Sequence, residues 1–260
     1  DYLVRDSYFA GVEYGQIDIQ RLINSLDLVN NQLAMDVAAI YALEAFVIAR
    51  YEMFKAVYFH RTVRATEVMI MRAMDYANVY LGLTSFRTPE EFLRLDDWSV
   101  LQSLISIRDT QEKRLGVARE LAEMYCSRRL FKAVHEQLFH RRDDFFANIM
   151  TREDIRLQLC KEISDRAGVD PDYIIIDVPT VASVPYYALQ KKPADIPVFE
   201  VRQDGIREPH DLSEYSQLIP ALIGFIDVVR VYTTAANRER VSEAASVVLG
   251  RQPYSAKITM

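Results

Sequence analysis

Three arginines and two aromatic residues recur in one segment of the chain at a spacing that predicts one face of a helix. Advancing about 100° per residue places Arg50, Phe54, Tyr58, Arg61 and Arg64 within about 120° of one another. Arginine donates paired, charge-assisted hydrogen bonds to phosphate, and tyrosine offers a flat ring and a hydroxyl to a sugar or base. The pattern therefore predicts a face that binds a phosphorylated ligand. The alternative is a half-buried helix whose arginines pair with acids and whose aromatic rings belong to the core.

A tyrosine and a carboxylate lie one helical turn apart at the start of the chain. Because Tyr2 and Asp6 are four residues apart, both side chains point the same way if this segment is a helix. A carboxylate beside a phenol can accept hydrogen bonds from the hydroxyl groups of a sugar. It can equally be a buried acid that pairs with Arg5 or Arg50. The sequence alone supports both interpretations.

Motifs for several other chemistries are absent from the sequence. The chain has no Gly-x-Gly-x-x-Gly, no P-loop and no Gly-x-Ser-x-Gly, which disfavours Rossmann, kinase and α/β-hydrolase sites. Its four histidines show no metal-ligand spacing, and no Cys-x-x-Cys pair exists. We therefore predict no complete metal site within this chain.

Charge and hydropathy limit the classes of partner. A net charge of −6 over 260 residues argues against coating of nucleic acid, although one nucleotide can still bind to a local basic cluster. No apolar run approaches the about 18 residues of a membrane span, and no signal-peptide pattern is present. Cys126 and Cys160 are predicted to be free, buried thiols, as is typical of a reducing compartment. We expect a soluble, cytoplasmic protein with no membrane partner.

Local signals in the first half of the chain are mostly helical, interrupted by one β-hairpin. A glycine ends the first helix, two asparagines that tolerate positive φ form the hairpin turn, and an aspartate caps a long helix. A threonine followed by proline and two glutamates starts another helix. These signals are Gly11, Asn30 with Asn31, Asp36, and Thr88 to Glu91. The long helix is predicted to run to about Leu81, with a break near His60.

The pattern changes near residue 128, where strands begin to alternate with helices. Strands are predicted at 131–139, 173–177, 197–201 and 228–233, and the main helices at 152–167, capped by Thr151, and 237–249. This order suggests a small α+β sheet, with a ferredoxin-like arrangement as one option. We therefore predict a mainly α part with one β-hairpin over residues 1–127, followed by a small α+β C-terminal subdomain over residues 128–260.

Two segments resemble the HD-domain phosphohydrolases. The opening run from Asp1 to Gly15 and the helix from Arg50 to Arg61 are similar to segments of the deoxynucleoside triphosphate triphosphohydrolase branch, which includes dGTPase-like enzymes. The later helices and the α+β tail agree in order with compact prokaryotic members. The resemblance implies that residues 1–127 are the C-terminal part of a helical HD-type domain.

The resemblance also implies a role for each matching residue. Tyr2 and Asp6 would face the deoxyribose, Arg50 would bind the triphosphate, and Tyr58 would pack on the sugar, with Phe54 on the same face. Phe59 stands where the family often has glutamine, which removes one expected hydrogen bond to the sugar. The possible contacts to an activating nucleotide between subunits are His60 and Arg61.

The implied cofactor is a divalent metal (Mg, Mn, Fe or Zn) bound by a His…His-Asp…Asp set. The resemblance places those four ligands upstream of Asp1, so the chain would begin inside a helix, lack catalytic and metal-binding residues, and be inert alone. The implied reaction is attack of metal-activated water on the α-phosphorus of a dNTP, which releases a deoxynucleoside and triphosphate.

Two other functions remain consistent with the sequence. The first alternative is a catalytically degenerate, oligomerising relative that binds nucleotides through the arginine face and acts as a regulatory module. The second is a purely structural helical domain. If the chain belongs to an enzyme, the resemblance implies a nucleotide substrate and a homodimer or homotetramer.

Overall fold

The structure is a computed structural model that describes residues 1–108, 111–139, 150, 152–182, 197–218 and 225–250. Its α-helices are α1 (Tyr2–Ala10), α2 (Ile19–Asn24), α3 (Ile40–Met53), α4 (Arg61–Leu81), α5 (Pro89–Phe92), α6 (Asp97–Ile105), α7 (Lys113–Cys126), α8 (Glu153–Ala167), α9 (Leu212–Tyr215) and α10 (Arg238–Val248). Its strands are β1 (Leu26–Val29), β2 (Gln32–Asp36), β3 (Lys132–Phe139), β4 (Ile174–Asp177), β5 (Thr180–Ala182), β6 (Pro197–Val201), β7 (Arg207–Asp211) and β8 (Phe225–Thr233). The predicted fold class, mainly α followed by a small α+β part, is confirmed.

The predicted start, stop and turn signals form as expected. Gly11 ends α1 with φ 68°, and the hairpin turn has φ 51° at Asn30 and 63° at Asn31. The Thr88 hydroxyl accepts a hydrogen bond from the Glu91 amide at 3.3 Å and caps α5. The predicted cap of α8, Thr151, lies outside the described residues.

The predicted long helix is four successive elements. Asp36 caps a short 3₁₀ turn, Val37–Ala39, by accepting a hydrogen bond from the Ala38 amide at 2.8 Å. Helix α3 then runs to Met53, a π-helix occupies Phe54–Tyr58, and α4 starts at Arg61. The break expected near His60 is therefore present, and a change of helix type precedes it.

The contacts between Cα atoms divide the chain into two compact units. Of the described residues, the first unit contains 1–60, 139, 179–182, 197–218 and 225–227, and the second contains the others. The sequence predicts a boundary near residue 128, between a helical part and an α+β part. That boundary stays a prediction.

The first unit contains a mixed four-stranded sheet in the order β1-β2-β6-β7. The hairpin strands are antiparallel, β2 runs parallel to β6 with Met35 opposite Val198, and β6 is antiparallel to β7. Met35 and Val198 pack in one buried cluster with Leu43 and Val47 of α3. The hairpin is thus part of a larger sheet, on which α3 is held by apolar contacts.

The second unit is built around α4 and α7, which pack against each other. Small residues on both helices, among them Ala73 and Ala118, are fully buried at the core and allow a close approach of the helices. A second sheet has the order β3-β8-β4. Ile175 lies opposite Tyr232 in this sheet, and both residues belong to the same core as α4 and α7.

Two general predictions can be compared with the described part of the chain. None of its helices combines the length and the apolar character that a membrane crossing requires. Both cysteines are free, but only Cys160 is buried, because Cys126 lies exposed in the last turn of α7.

Candidate functional site

A hydrogen bond between distant parts of the sequence defines the candidate site in the first unit. The Tyr58 hydroxyl donates to Oδ2 of Asp6 at 2.7 Å, joining the end of the π-helix to α1. The ring of Tyr2 lies 6.3 Å from that of Tyr58, centroid to centroid, at an interplanar angle of 55°. Tyr2, Asp6 and Tyr58 are therefore close together, as their predicted shared role requires.

Arg50 and Phe54 extend the same group of side chains. The Phe54 and Tyr58 rings meet in a T-shaped contact with centroids 4.8 Å apart. The guanidinium carbon of Arg50 lies 4.8 Å from the centroid of the Phe54 ring. This cation–π contact orients a half-buried arginine beside the aromatic rings. The structure thus brings together all five predicted substrate-binding residues, which we call the Tyr58 cluster: Tyr2, Asp6, Arg50, Phe54 and Tyr58.

Helix α1 is positioned by the face next to the one that carries Tyr2 and Asp6. Leu3 and Ser7 are buried and lie one turn apart, while α1 packs against α3. The chain after α1 passes very close to it at Gly15, where an added Cβ would lie 2.3 Å from the Leu3 carbonyl oxygen and 2.5 Å from the Ser7 hydroxyl oxygen. The absence of a side chain at Gly15 therefore permits the packing that fixes α1.

Replacing Gly15 by alanine is expected to destabilise the protein by about 1–3 kcal/mol, because the new methyl group would meet backbone that cannot move independently. Urea unfolding followed by circular dichroism measures the change. Gly168→Ala is the comparison variant: an added Cβ meets nothing within 4 Å there, so its loss measures the cost of a left-handed φ of 60° and not of steric contact. A Gly15→Ala protein as stable as the wild type would contradict steric contact with α1.

The π-helix sets the spacing of the aromatic side chains. The Phe59 amide donates to the Phe54 carbonyl at 2.8 Å, a bond between residues five apart. Single π-turns inside α-helical segments occur frequently at functional sites. Sequence periodicity based on the α-helix does not detect this element, so the face predicted for Arg50 to Arg64 is interrupted by the π-helix as well as by the expected break near His60.

The pair of Tyr58 and Asp6 has a fixed protonation state at neutral pH. The hydrogen bond from Tyr58 makes the largest contribution and lowers the pKa of the Asp6 carboxyl. Burial raises this pKa, but Arg5 also lowers it, so the net shift is downward. Burial and the hydrogen bond to Asp6 raise the pKa of Tyr58. Because the ordinary values are 3.8 and 10.0, Asp6 is ionised and Tyr58 is protonated throughout the interval between them.

The direction of these shifts fixes their effect on stability. The lowered pKa of Asp6 stabilises the fold above pH 3.8, and this contribution is lost as the pH falls through the pKa of the folded state. The raised pKa of Tyr58 stabilises the fold below pH 10.0, and this contribution is lost as the pH rises through the raised value.

Asp6 has a second partner. The Arg5 Nε donates to Oδ1 of Asp6 at 2.9 Å, and Nη1 of the same arginine donates to Asp1 at 3.0 Å. The pairing with Arg5 that the sequence left open is therefore present together with the bond to Tyr58. The Asp6 side chain is 29% exposed, so it is not the fully buried acid of that alternative.

Four residues near the break have different surroundings. Phe59 is buried against Phe54, with ring centroids 5.8 Å apart, so it belongs to the core. His60 and Arg61 are exposed, and their role as contacts to an activating nucleotide stays a prediction.

Arg64 donates from Nη2 and Nε to the two carboxylate oxygens of Asp177 at 2.6 and 2.9 Å and also pairs with Glu67. Arg64 is thus an arginine paired with acids, as the alternative interpretation of the arginine face proposed.

The side chains of the described residues do not supply a metal centre. Within the described residues, no group of three or more His, Cys, Asp or Glu side chains is arranged to hold a metal ion. HD-type phosphohydrolases generally use divalent metals, and the donor set of the described part does not fit one. The Tyr58 cluster instead has the composition of an organic-ligand site, with a cation, a carboxylate and aromatic rings.

Comparison with known families identifies the class of protein. Residues 17–258 match the family model described as the HD associated region, so the chain belongs to this family. It is accordingly a member of the HD-domain phosphohydrolase superfamily, as the resemblance predicted.

Individual relatives are similar over parts of their length. The uncharacterized protein YwfO of Bacillus subtilis is 24% identical over 241 residues, which are 86% of this chain and 52% of that protein. A protein of Dictyostelium discoideum called deoxynucleoside triphosphate triphosphohydrolase SAMHD1 homolog is 32% identical over 137 residues, which are 52% of this chain and 26% of that protein. The chain thus spans about half, or less, of the length of these relatives.

Solved structures share the fold. A hypothetical protein from Aquifex aeolicus matches with a TM-score of 0.65 and 24% identity, over 94% of this chain and 55% of that one. A phosphohydrolase from Bacteroides thetaiotaomicron matches with a TM-score of 0.57 and 24% identity, over 90% of this chain and 60% of that one.

Proposed function

We propose that the protein is a metal-dependent phosphohydrolase that converts a dNTP to a deoxynucleoside and triphosphate, and that this chain supplies the residues that bind the substrate. The observation that supports the proposal is the hydrogen bond between Tyr58 and Asp6, around which the other residues of the Tyr58 cluster gather. The similarity to a relative named as a deoxynucleoside triphosphate triphosphohydrolase supports the same substrate class.

Each residue of the cluster has a role that its chemistry allows. The ionised Asp6 carboxylate has lone pairs left after its bonds to Tyr58 and Arg5, and these accept a hydrogen bond from a sugar hydroxyl. The rings of Tyr2 and Tyr58 offer an apolar surface to the deoxyribose. Arg50, held over Phe54, donates to the triphosphate.

The proposed reaction adds the oxygen of water to the α-phosphorus and breaks the bond from that phosphorus to the 5′ oxygen. The 5′ oxygen takes up a proton, so the products are the deoxynucleoside and triphosphate. Charge on the leaving triphosphate is stabilised by arginine. The family's His and Asp ligands, and the metal that they bind, belong to the remainder of the site.

The test uses the protein in a form that includes the metal ligands of the family. It is incubated with each dNTP and with Mg²⁺ or Mn²⁺ in ¹⁸O-labelled water, and the products are separated by ion exchange. We expect triphosphate that contains ¹⁸O, with unlabelled deoxynucleoside. Monophosphate with pyrophosphate would indicate a different phosphohydrolase reaction. Tight binding of a dNTP without turnover would indicate the regulatory module.

Replacing Tyr58 by phenylalanine is expected to lower kcat/KM for the dNTP by about 3- to 10-fold. The ring is retained, while Asp6 loses the donor that orients it, a loss of about 1 kcal/mol. The control is Tyr8→Phe, because Tyr8 is 80% exposed on α1, the helix that carries Asp6. Steady-state kinetics of the two variants measure the difference, and equal effects would contradict a role for the Tyr58 hydroxyl.

The proposed assembly is a homodimer or homotetramer, with His60 and Arg61 as contacts to an activating nucleotide. Light scattering coupled to size exclusion, with and without added nucleotide, measures the oligomeric state. Loss of nucleotide-induced activation in His60→Ala and Arg61→Ala, with retained basal turnover, is the result expected for effector contacts.

A further inference from the structure

Arg5 is not one of the residues of the Tyr58 cluster, but it contacts the carboxylate of that cluster. Its guanidinium connects two carboxylates, because Nε donates to Oδ1 of Asp6 at 2.9 Å and Nη1 donates to Oδ2 of Asp1 at 3.0 Å.

The two oxygens of Asp6 are held by donors of different kinds. Tyr58, on the π-helix, donates a neutral hydroxyl to Oδ2 at 2.7 Å, and Arg5, on the same helix as Asp6, donates a charged N–H to Oδ1. Two donors on two oxygens fix both the rotation of the carboxylate plane and its distance from Tyr58. One donor alone would leave the plane free to turn about the remaining bond.

From this geometry we infer that Arg5 is a positioning residue for Asp6: it orients the carboxylate so that the remaining lone pairs face the sugar of the bound nucleotide. The inference deepens the proposed function and rests on it for the identity of the ligand. It does not make Arg5 a substrate contact. The lowered pKa of Asp6, to which Arg5 contributes after Tyr58, agrees with this role.

Arg5 is suited to substitution because it is not part of the core. Its side chain is 54% exposed, and that of Asp1 is 88% exposed, so removal of the guanidinium leaves no cavity. An exposed ion pair is worth about 0.2–1 kcal/mol, which corresponds to an effect of about 1.5- to 5-fold on binding or rate. The expected effect of Arg5→Met on kcat/KM for a dNTP is therefore about 2- to 5-fold at neutral pH, mainly through KM.

The pKa of Asp6 separates positioning from a general loss of structure. Without Arg5, this pKa is expected to move up towards its ordinary value in Arg5→Met. Arg5→Lys retains the charge but not the planar fork, and should restore the pKa of Asp6 more fully than KM. Arg202→Met is the matched control, since Arg202 forms an exposed ion pair with Glu208 at 2.5 Å in the same unit and should leave both quantities unchanged.

A second measurement does not depend on turnover. The full protein is labelled with ¹³C at aspartate carboxyl groups, the Asp6 signal is assigned by its absence in Asp6→Asn, and its titration is followed by NMR in wild type and Arg5→Met. A higher Asp6 pKa in Arg5→Met supports the inference even if no dNTP is hydrolysed, which would overturn only the proposed function. An unchanged Asp6 titration overturns the inference.

Discussion

Replacing Asp177 by alanine is expected to lower the free energy of unfolding by about 3 kcal/mol. The carboxylate of Asp177, 7% exposed at the end of β4, accepts two hydrogen bonds from Arg64, which is itself only 18% exposed. Removal of one partner leaves a largely buried charge without its main counter-ion, and a loss of this kind costs about 3–5 kcal/mol. The expected value lies at the lower end because Glu67 still pairs with Arg64. Urea unfolding followed by circular dichroism measures it.

Two further variants identify the cause of this loss. Glu67→Ala removes a 43% exposed partner of the same arginine and should cost less than about 1 kcal/mol. The double variant Arg64→Leu with Asp177→Leu should recover part of the stability, since neither charge then remains buried. A double variant as unstable as Asp177→Ala would point to packing of the carboxylate rather than to the unpaired arginine.

Replacing Arg50 by alanine is expected to lower kcat/KM for a dNTP by about 10- to 150-fold. Hydrogen bonds to charged groups contribute about 1.5–3 kcal/mol, and a triphosphate is the most highly charged part of the proposed substrate. The contact with Phe54 adds a second loss, because it holds the guanidinium in place before the ligand binds. Steady-state kinetics with a dNTP as the varied substrate measure the change.

Arg50→Lys is the matched control for this prediction. Lysine retains the positive charge but lacks the planar fork that stacks on Phe54 and donates in pairs to phosphate oxygens. We expect an intermediate loss in kcat/KM. If Arg50→Ala instead lowers stability and leaves kcat/KM unchanged, the arginine is a structural residue and the proposed triphosphate contact is wrong.

Elements set by local chemistry were predictable from the sequence. Gly11, the Asn30–Asn31 turn and the Thr88 cap act through the backbone of their immediate neighbours, and the structure shows each of them as expected. The shared direction of Tyr2 and Asp6 follows from helical spacing in the same way. The grouping of these two residues with Tyr58 was available only from the family resemblance, since 52 residues separate the two partners of the hydrogen bond.

Long-range pairings and the change of helix type were not predictable. The sequence predicts the hairpin, but nothing in it indicates that β2 pairs with β6, whose residues are far away in the chain. Arg64 has the same residue type and approximate α-helical phase as Arg50, and only its contact with Asp177 shows that its charge is already paired. Gly15 is similar: its proximity to α1 depends on tertiary packing, so the sequence shows only a glycine in a turn.

The π-helix at Phe54–Tyr58 has a consequence for how this part of the protein tolerates changes in length. A π-turn accommodates one more residue than an α-turn, so deletion of Ala56 should let α3 continue as an α-helix through this segment. Because an α-turn needs one residue fewer than a π-turn, the residues that follow, Tyr58 among them, would keep nearly the same direction and their reach to Asp6. A single codon lost at Ala56 should therefore be tolerated better than one lost inside α3, where every later residue would turn by about 100°. In an alignment of relatives, this segment should accordingly allow a difference of one residue in length.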